Sequence, residues 1–282
     1  VQVVSTDAKP GNILAEYEAA VQRGAGVIVG PLTRSGVTVL AAAGRVNVPT
    51  LALNIADGNS PLPPLLYTFG LSVEPEARMV ARIAFNRGLR EAVIVQAPDQ
   101  FAKRLSKAFA EEWFSLGGRI SDIREFGPSA DLIELRQRLA DSEAQLIFLA
   151  ADARQARTVR PYLNNQIPVY ATSQINDGTT NPLVNGDLNG IRFVDMPWLV
   201  QPDDPAVMVY EHRRGLSADL QRLYALGIDS CRIANQLLSG NRRITLDGVT
   251  GRISYQGGNL IQREPVPAIF RDGVGLSLEL AR

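Results

Sequence analysis

The residue types that carry most enzyme and metal chemistry are scarce in this sequence. It holds one histidine, His212, and one cysteine, Cys231. Zinc sites gather three or four ligands, largely from His and Cys, and a nucleophile pair needs His beside Ser or Cys, so both chemistries lose most of their parts. A phosphate-gripping loop needs Gly-Lys before Ser or Thr, and no Gly-Lys pair occurs. Gly24-Ala25-Gly26 opens like a dinucleotide fingerprint, but Val29 takes the third glycine position and the run precedes a strand instead of following one. No Gly-x-Ser-x-Gly elbow is present. Glu111-Glu112 and Asp203-Asp204 are neighbours in sequence and read as solvated charges, not as a facing acid and base. His212, in the run Tyr210–Arg214, reads as a solvated ring complementing a helix end. The expectation is a non-enzyme that needs no metal and no cofactor.

The polar side chains that remain fall on loops, and the elements around them say why. Strand and helix signals alternate: strand Val1–Val4, helix Ile13–Arg23 closed by Gly24, strand Val27–Val29, then a helix from a Ser35 cap to Arg45 and strand Thr50–Leu53. An extended Leu65–Phe69 leads to helix Val73–Arg87, with Ser72 as its expected cap and Glu74 and Glu76 in its first turn. The rhythm continues through strands Ala92–Gln96, Arg119–Phe126, Gln145–Ala150, Pro168–Thr172 and Ile191–Val194, with helices Gln100–Leu116, Asp131–Ala140 and Ala153–Leu163 between them. This is the pattern of βαβ units and a parallel sheet. Helices Ala206–Arg214 and Ala218–Ser239 follow, and then short strands Ile244–Leu246, Gly251–Tyr255, Leu260–Gln262 and Val266–Phe270 between Gly-rich turns. On the long helix, Leu220, Tyr224, Gly227, Cys231, Ala234 and Leu238 recur at helical spacing, which predicts a packed face with Cys231 as a buried, inert thiol.

In open parallel sheets ligands meet the loops beyond the carboxyl ends of the strands. Those loops offer Thr33, Ser35, Asn54, Asp57, Asp99, Gln100, Phe101, Ser173 and Gln174 as candidate binding residues. Ser35 and Asp99 are also the residue types that cap helices, which by itself justifies them. Composition narrows the class further. With 282 residues and 45% hydrophobic content the chain can bury real cores, and its length suggests about two domains. Lys+Arg and Asp+Glu balance at 29 each, so the basic excess of a nucleic-acid binder is missing. Only Lys9, Lys103 and Lys107 are lysines, which leaves arginines such as Arg136, Arg138, Arg154 and Arg157 as candidate interface anchors. No apolar run approaches the roughly 20 residues of a membrane span.

Two early stretches, Gly26–Leu32 and Val48–Asn54, resemble the first lobe of type 1 periplasmic binding proteins. Arg222-Leu223-Tyr224-Ala225-Leu226-Gly227-Ile228-Asp229 and Leu246-Asp247-Gly248-Val249-Thr250-Gly251-Arg252-Ile253, followed by Ile261–Glu264, resemble the penicillin-binding-protein activator (LppC/LpoA-type) outer-membrane lipoproteins. The resemblance implies an α/β fold of two lobes around a cleft, each a mostly parallel sheet flanked by helices. It divides the chain into 1–71 with 200–245, and 72–199 with 246–282, crossing near Leu71–Ser72, Leu199–Gln201 and Ile244–Gly248. It also implies a strand and helix ahead of Val1, and a lipid-anchoring cysteine outside this sequence as the only tie to a membrane. The implied role is that of a non-enzymatic periplasmic domain at the outer membrane that activates a peptidoglycan synthase, a penicillin-binding protein, by contact, with a small polar ligand in the cleft as a further partner. The alternative is a solute-binding protein that delivers an amino acid or similar small ligand to an ABC transporter. Against it stands a chain only 6% aromatic, with Phe101 the one ring on a candidate cleft loop.

Overall fold

The computed structural model describes residues 1–6, 9–58, 61–127, 130–213 and 215–278. In chain order the elements are α1 (Pro10–Gln22), β1 (Ile28–Val29), α2 (Arg34–Ala42), β2 (Thr50–Ala52), β3 (Leu66–Thr68), α3 (Glu74–Asn86), β4 (Glu91–Gln96), α4 (Gln100–Ser115), β5 (Arg119–Glu125), α5 (Leu132–Ala140) and β6 (Leu146–Ala150). They continue with α6 (Ala153–Val159), β7 (Val169–Ala171), α7 (Pro182–Asn185), β8 (Arg192–Asp195), α8 (Pro197–Val200), α9 (Pro205–Met208), α10 (Ala218–Leu238), β9 (Ile244–Gly248), β10 (Gly251–Tyr255), β11 (Gln262–Glu264), β12 (Val266–Arg271) and β13 (Val274–Ser277). Two compact units result: Val1–Ser72 with Arg222–Glu264, and Val73–Gln221 with Pro265–Arg282.

The first unit holds a parallel sheet ordered β1-β2-β3 and an antiparallel sheet ordered β11-β10-β9. They are tied at one point. The backbone N–H of Thr68 donates to the Asn259 carbonyl at 2.7 Å, the Ile261 N–H donates to the Thr68 carbonyl at 3.0 Å, and the Asn259 amide reaches the Leu66 carbonyl at 2.7 Å. Leu51, Phe69, Leu226, Ile233, Ile244 and Ile253 pack in one cluster, while Ile13, Tyr17, Val37, Leu40 and Leu66 form another under α1 and α2. The expected strand Val1–Val4 does not form: Val1, Val3 and Val4 are exposed and outside any sheet.

The second unit is built on a seven-stranded sheet ordered β13-β12-β8-β7-β6-β4-β5. The run from β8 to β5 is parallel, as helical crossovers require, and β12 and β13 add antiparallel strands at one side. Its central strands are uninterrupted apolar runs, β6 being Leu146-Ile147-Phe148-Leu149-Ala150 with every residue buried, the signature of a strand covered on both faces. Phe148 stacks on Phe109 of α4, which stacks in turn on Trp113.

Several expectations shift. The chain changes unit after Ser72, after Gln221 and after Glu264, the last two later than the resemblance implied; β9 to β11 fall in the first unit because they pair with one another and Ile244, Ile253, Tyr255 and Ile261 pack with Leu51 and Phe69. The helix expected over 206–214 is only the short α9; residues 211–213 are irregular, and Arg214 lies outside the described residues. The strand expected at Leu260–Gln262 forms instead at β11, and β13 had no counterpart in the sequence reading. Ser72 caps nothing, since Val73 is the N-cap residue of α3 and gives no side-chain bond.

The packed face of α10 is also not the expected one. Arg222, Ala225, Leu226, Asp229, Ser230, Ile233, Ala234 and Leu237 are buried, so of the expected face only Ala234 is buried; Leu220, Gly227, Cys231 and Leu238, with Leu223, are exposed and Tyr224 is half-buried. Cys231 is therefore a surface thiol. The buried stripe includes Arg222 and Asp229, which hydrophobic spacing alone excludes.

Candidate functional site

In the first unit, the candidate residues lie on the loops after β1 and β2. Thr33 caps α2: its Oγ1 accepts from the Gly36 N–H at 3.2 Å. The cap is Thr33 and not Ser35, which is already inside the helix and whose hydroxyl donates to Thr33 Oγ1. Gly36 fits this corner because a Cβ there would lie 2.9 Å from Pro31 Cβ and 3.0 Å from Thr33 Oγ1. The Asn54 amide donates to the Leu32 carbonyl at 3.0 Å, and its own oxygen accepts from the Ile55 N–H. The Asp57 N–H donates to Thr38 Oγ1 at 2.9 Å, and the Asp57 carboxylate lies 3.6 Å from Arg34. Asn54 thus joins the loop after β2 to the loop after β1, and Asp57 ties it to α2, while Thr33 and Ser35 bond at the start of α2.

In the second unit, Asp99 caps α4 and accepts from the Ala102 N–H at 2.8 Å. Its other oxygen accepts from the Gln155 amide at 3.1 Å. Gln155 also completes a capping box with Asp152 at the start of α6, so the loops after neighbouring strands β4 and β6 are linked. Desolvation pushes the Asp99 carboxyl up, but the hydrogen bonds from Ala102, Gln155 and the local backbone outweigh it and hold the carboxyl below its ordinary range. Gln100 is the exposed first residue of α4. Phe101 is half-buried and packs against the core, with Arg104 over its ring at 5.7 Å.

Ser173 and Gln174 lie on the turn after β7. Ser173 is buried, and its N–H donates to the carboxylate of buried Glu76 on α3 at 3.1 Å; Gln174 is half-buried. Beyond them Asn176 donates to buried Asp195 at 2.9 Å, and Asp195 also accepts from the Met196 N–H. Arg157 holds this loop from α6, at 2.7 Å from both Asp177 and Asn185. Asp177 is desolvated, yet its bonds from Arg157 and Thr179 bring its carboxyl below the ordinary range. Arg138 likewise pairs with Glu134 at 2.7 Å, so two of the arginines expected as interface anchors have partners within the chain.

Asp229 and His212 make contacts that spacing in the sequence does not show. The Asp229 carboxylate, fully buried on α10, accepts from the Val249 N–H at 3.2 Å, the Thr250 N–H at 2.8 Å and the Thr250 hydroxyl at 2.7 Å. The two stretches whose resemblance pointed to a lipoprotein family are thereby joined in space. His212 lies outside any helix, with its ring stacked on Trp198 at 3.9 Å and 16°. Gln221 accepts from Trp198 Nε1 at 2.8 Å and donates to the Arg213 carbonyl. Partial burial lowers the His212 pKa from its ordinary value. Among the described residues no group of His, Cys, Asp and Glu is arranged to hold a metal ion, and no helix is long and apolar enough to cross a membrane.

These sheets and loops define the class: the chain has the fold of the type 1 periplasmic binding proteins. It belongs to the family described as "LppC putative lipoprotein", whose model matches residues 1–273. It is 30% identical, over 97% of its length and 48% of the relative's, to the penicillin-binding protein activator LpoA of Glaesserella parasuis, and 28% identical to that of Haemophilus influenzae over 90% of this chain and 45% of that one. The chain thus spans about half the length of the curated relatives it matches. Among solved structures it is similar to a "putative branched-chain amino acid ABC transporter" from Chromobacterium violaceum (36% identity, TM-score 0.83, covering 95% of this chain and 88% of that one). It is also similar to the LpoA C-domain of H. influenzae, described as a regulator of PBP1A (26% identity, TM-score 0.78, covering 94% and 86%).

Proposed function

We propose that this chain is a non-enzymatic regulatory domain that activates a peptidoglycan synthase, a penicillin-binding protein, through protein contact in the periplasm, in a protein lipid-anchored to the outer membrane. The observation that carries it is the LppC match across residues 1–273, together with relatives named as penicillin-binding protein activators over nearly the whole chain. The site chemistry agrees: Thr33, Ser35, Asn54 and Asp57 have partners in the loop after β1 or on α2, and Asp99 serves as a cap and a loop tie. A solute carrier instead keeps convergent polar groups for its ligand.

The solute-binding reading stands second, on the 36% identity to the C. violaceum structure. One pair of measurements separates them. Added to a penicillin-binding protein synthase of the same organism, the chain should raise glycan polymerisation or crosslinking, and calorimetry against branched-chain and other amino acids should show no binding. Micromolar amino-acid binding without stimulation of the synthase would overturn the regulator reading.

A further inference from the structure

We propose that Arg87, Tyr170 and Arg192 in the second unit form a binding site for a phosphate-class oxyanion. Tyr170 is a buried ring on β7, and Arg192 is its direct register partner on β8. Arg87, the residue that closes α3, donates from Nη1 to the Tyr170 hydroxyl at 3.3 Å. The Arg192 guanidinium carbon lies 5.7 Å from the centre of the same ring. Two cations therefore converge on one tyrosine, and among the described residues neither is in an ion pair.

The unmet hydrogen-bonding capacity points the same way. Arg192 Nε is sealed from solvent without an acceptor. The Tyr170 oxygen already accepts from Arg87, and its O–H has no protein acceptor among the described residues. A buried donor without an acceptor is costly, and an anion here would supply the acceptor while offsetting two positive charges. The donors come from three elements, the end of α3, β7 and β8, which suits the three oxygens of a tetrahedral phosphate better than the two of a planar carboxylate. Arg160, whose Nε is also sealed, differs: its guanidinium bonds Asn165 at 2.7 Å and feels the charge of Asp187.

The test follows arginine Nε–H resonances by NMR while inorganic phosphate is titrated into the whole chain, with acetate as the comparison anion. A saturable shift of the Arg192 Nε–H with phosphate, weaker with acetate, is expected. Arg87→Gln, at an exposed position, should weaken phosphate about tenfold, as loss of one charge-assisted contact implies. Tyr170→Phe removes only the hydroxyl and should weaken it too. Sedimentation with phosphatidylglycerol or phosphatidylcholine vesicles distinguishes a lipid headgroup from a soluble phosphate as the source, since only a headgroup site gives Arg87-dependent co-sedimentation with the anionic vesicles. No saturable shift, or unchanged affinity in a folded Arg87→Gln chain, would overturn the proposal.

Discussion

At the scale of single residues, one buried carboxylate on α10 stands out. Asp229 is fully buried and takes three hydrogen bonds from Val249 and Thr250, with Arg232 at 3.2 Å. Asp229→Ala should therefore destabilise the chain by about 3 kcal/mol, because buried backbone donors lose a charged acceptor. Asp229→Asn should cost clearly less; urea denaturation of both variants checks this. Asp99 and Asp177 make a different prediction. Their folded carboxyls titrate below the unfolded value of about 3.9. A depressed carboxyl contributes stability above the unfolded pKa and loses it as pH falls through the folded pKa. Melting temperature should thus drop as pH falls below about 4, and less steeply in Asp99→Asn, which keeps a cap but cannot titrate. His212 has the opposite chemistry and the same pH direction: its pKa is lowered by burial, so its neutral stack on Trp198 is favoured above about pH 6.5 and weakens as pH falls. His212→Ala should expose the otherwise buried Trp198 and shift its emission to the red at neutral pH; unchanged emission would count against the stack.

At the scale of elements, the packing of α4 on the sheet is fixed by a close approach at Gly118. A Cβ there would overlap the Trp113 indole, which is stacked on Phe109 and donates from Nε1 to the Arg119 carbonyl at 2.8 Å. Gly118→Ala should therefore cost about 1–3 kcal/mol through overpacking, read as a lower denaturation midpoint at unchanged slope. The existence and order of α4, β4, β6 and β10 were legible in the sequence, because apolar runs and breakers mark them unambiguously. The orientation of α10 was not. Its exposed side carries Leu220, Leu223 and Leu238, so apolar residues occur on both faces, while Asp229 is buried because the β9–β10 turn supplies its donors. Those partners lie about twenty residues on, beyond any helical periodicity. The site was half legible for a similar reason. Asp99 caps α4 as its type and position suggested, but the cap of α2 is Thr33 and not Ser35, and Phe101 packs inward; spacing gives the end of a helix to within a residue or two, not which hydroxyl accepts.

At the scale of the whole molecule, the two units differ in how their apolar residues are gathered. The second concentrates Val93, Ile94, Phe109, Trp113, Ile147, Phe148, Leu149 and Phe193 into one continuous core across a seven-stranded sheet. The first divides its apolar residues between two smaller clusters, and its parallel sheet has three strands, of which β1 has two residues. Sub-global opening follows local burial and hydrogen bonding, so the amides of β1 and β2 should open at lower free energy than those of β4 and β6. β6 is buried at all five positions, whereas β1 is half-buried at Ile28 and exposed at Val29. Native-state hydrogen exchange should show β4 and β6 exchanging only through the deepest opening, with β1 and the loops after β1 and β2 exchanging first. The Asp229 contact sharpens the expectation, since Asp229→Ala should accelerate exchange at Val249 and Thr250 while leaving β4 and β6 at their original rates. Acceleration of β4 and β6 by the same factor would show instead that the two units unfold as one cooperative body.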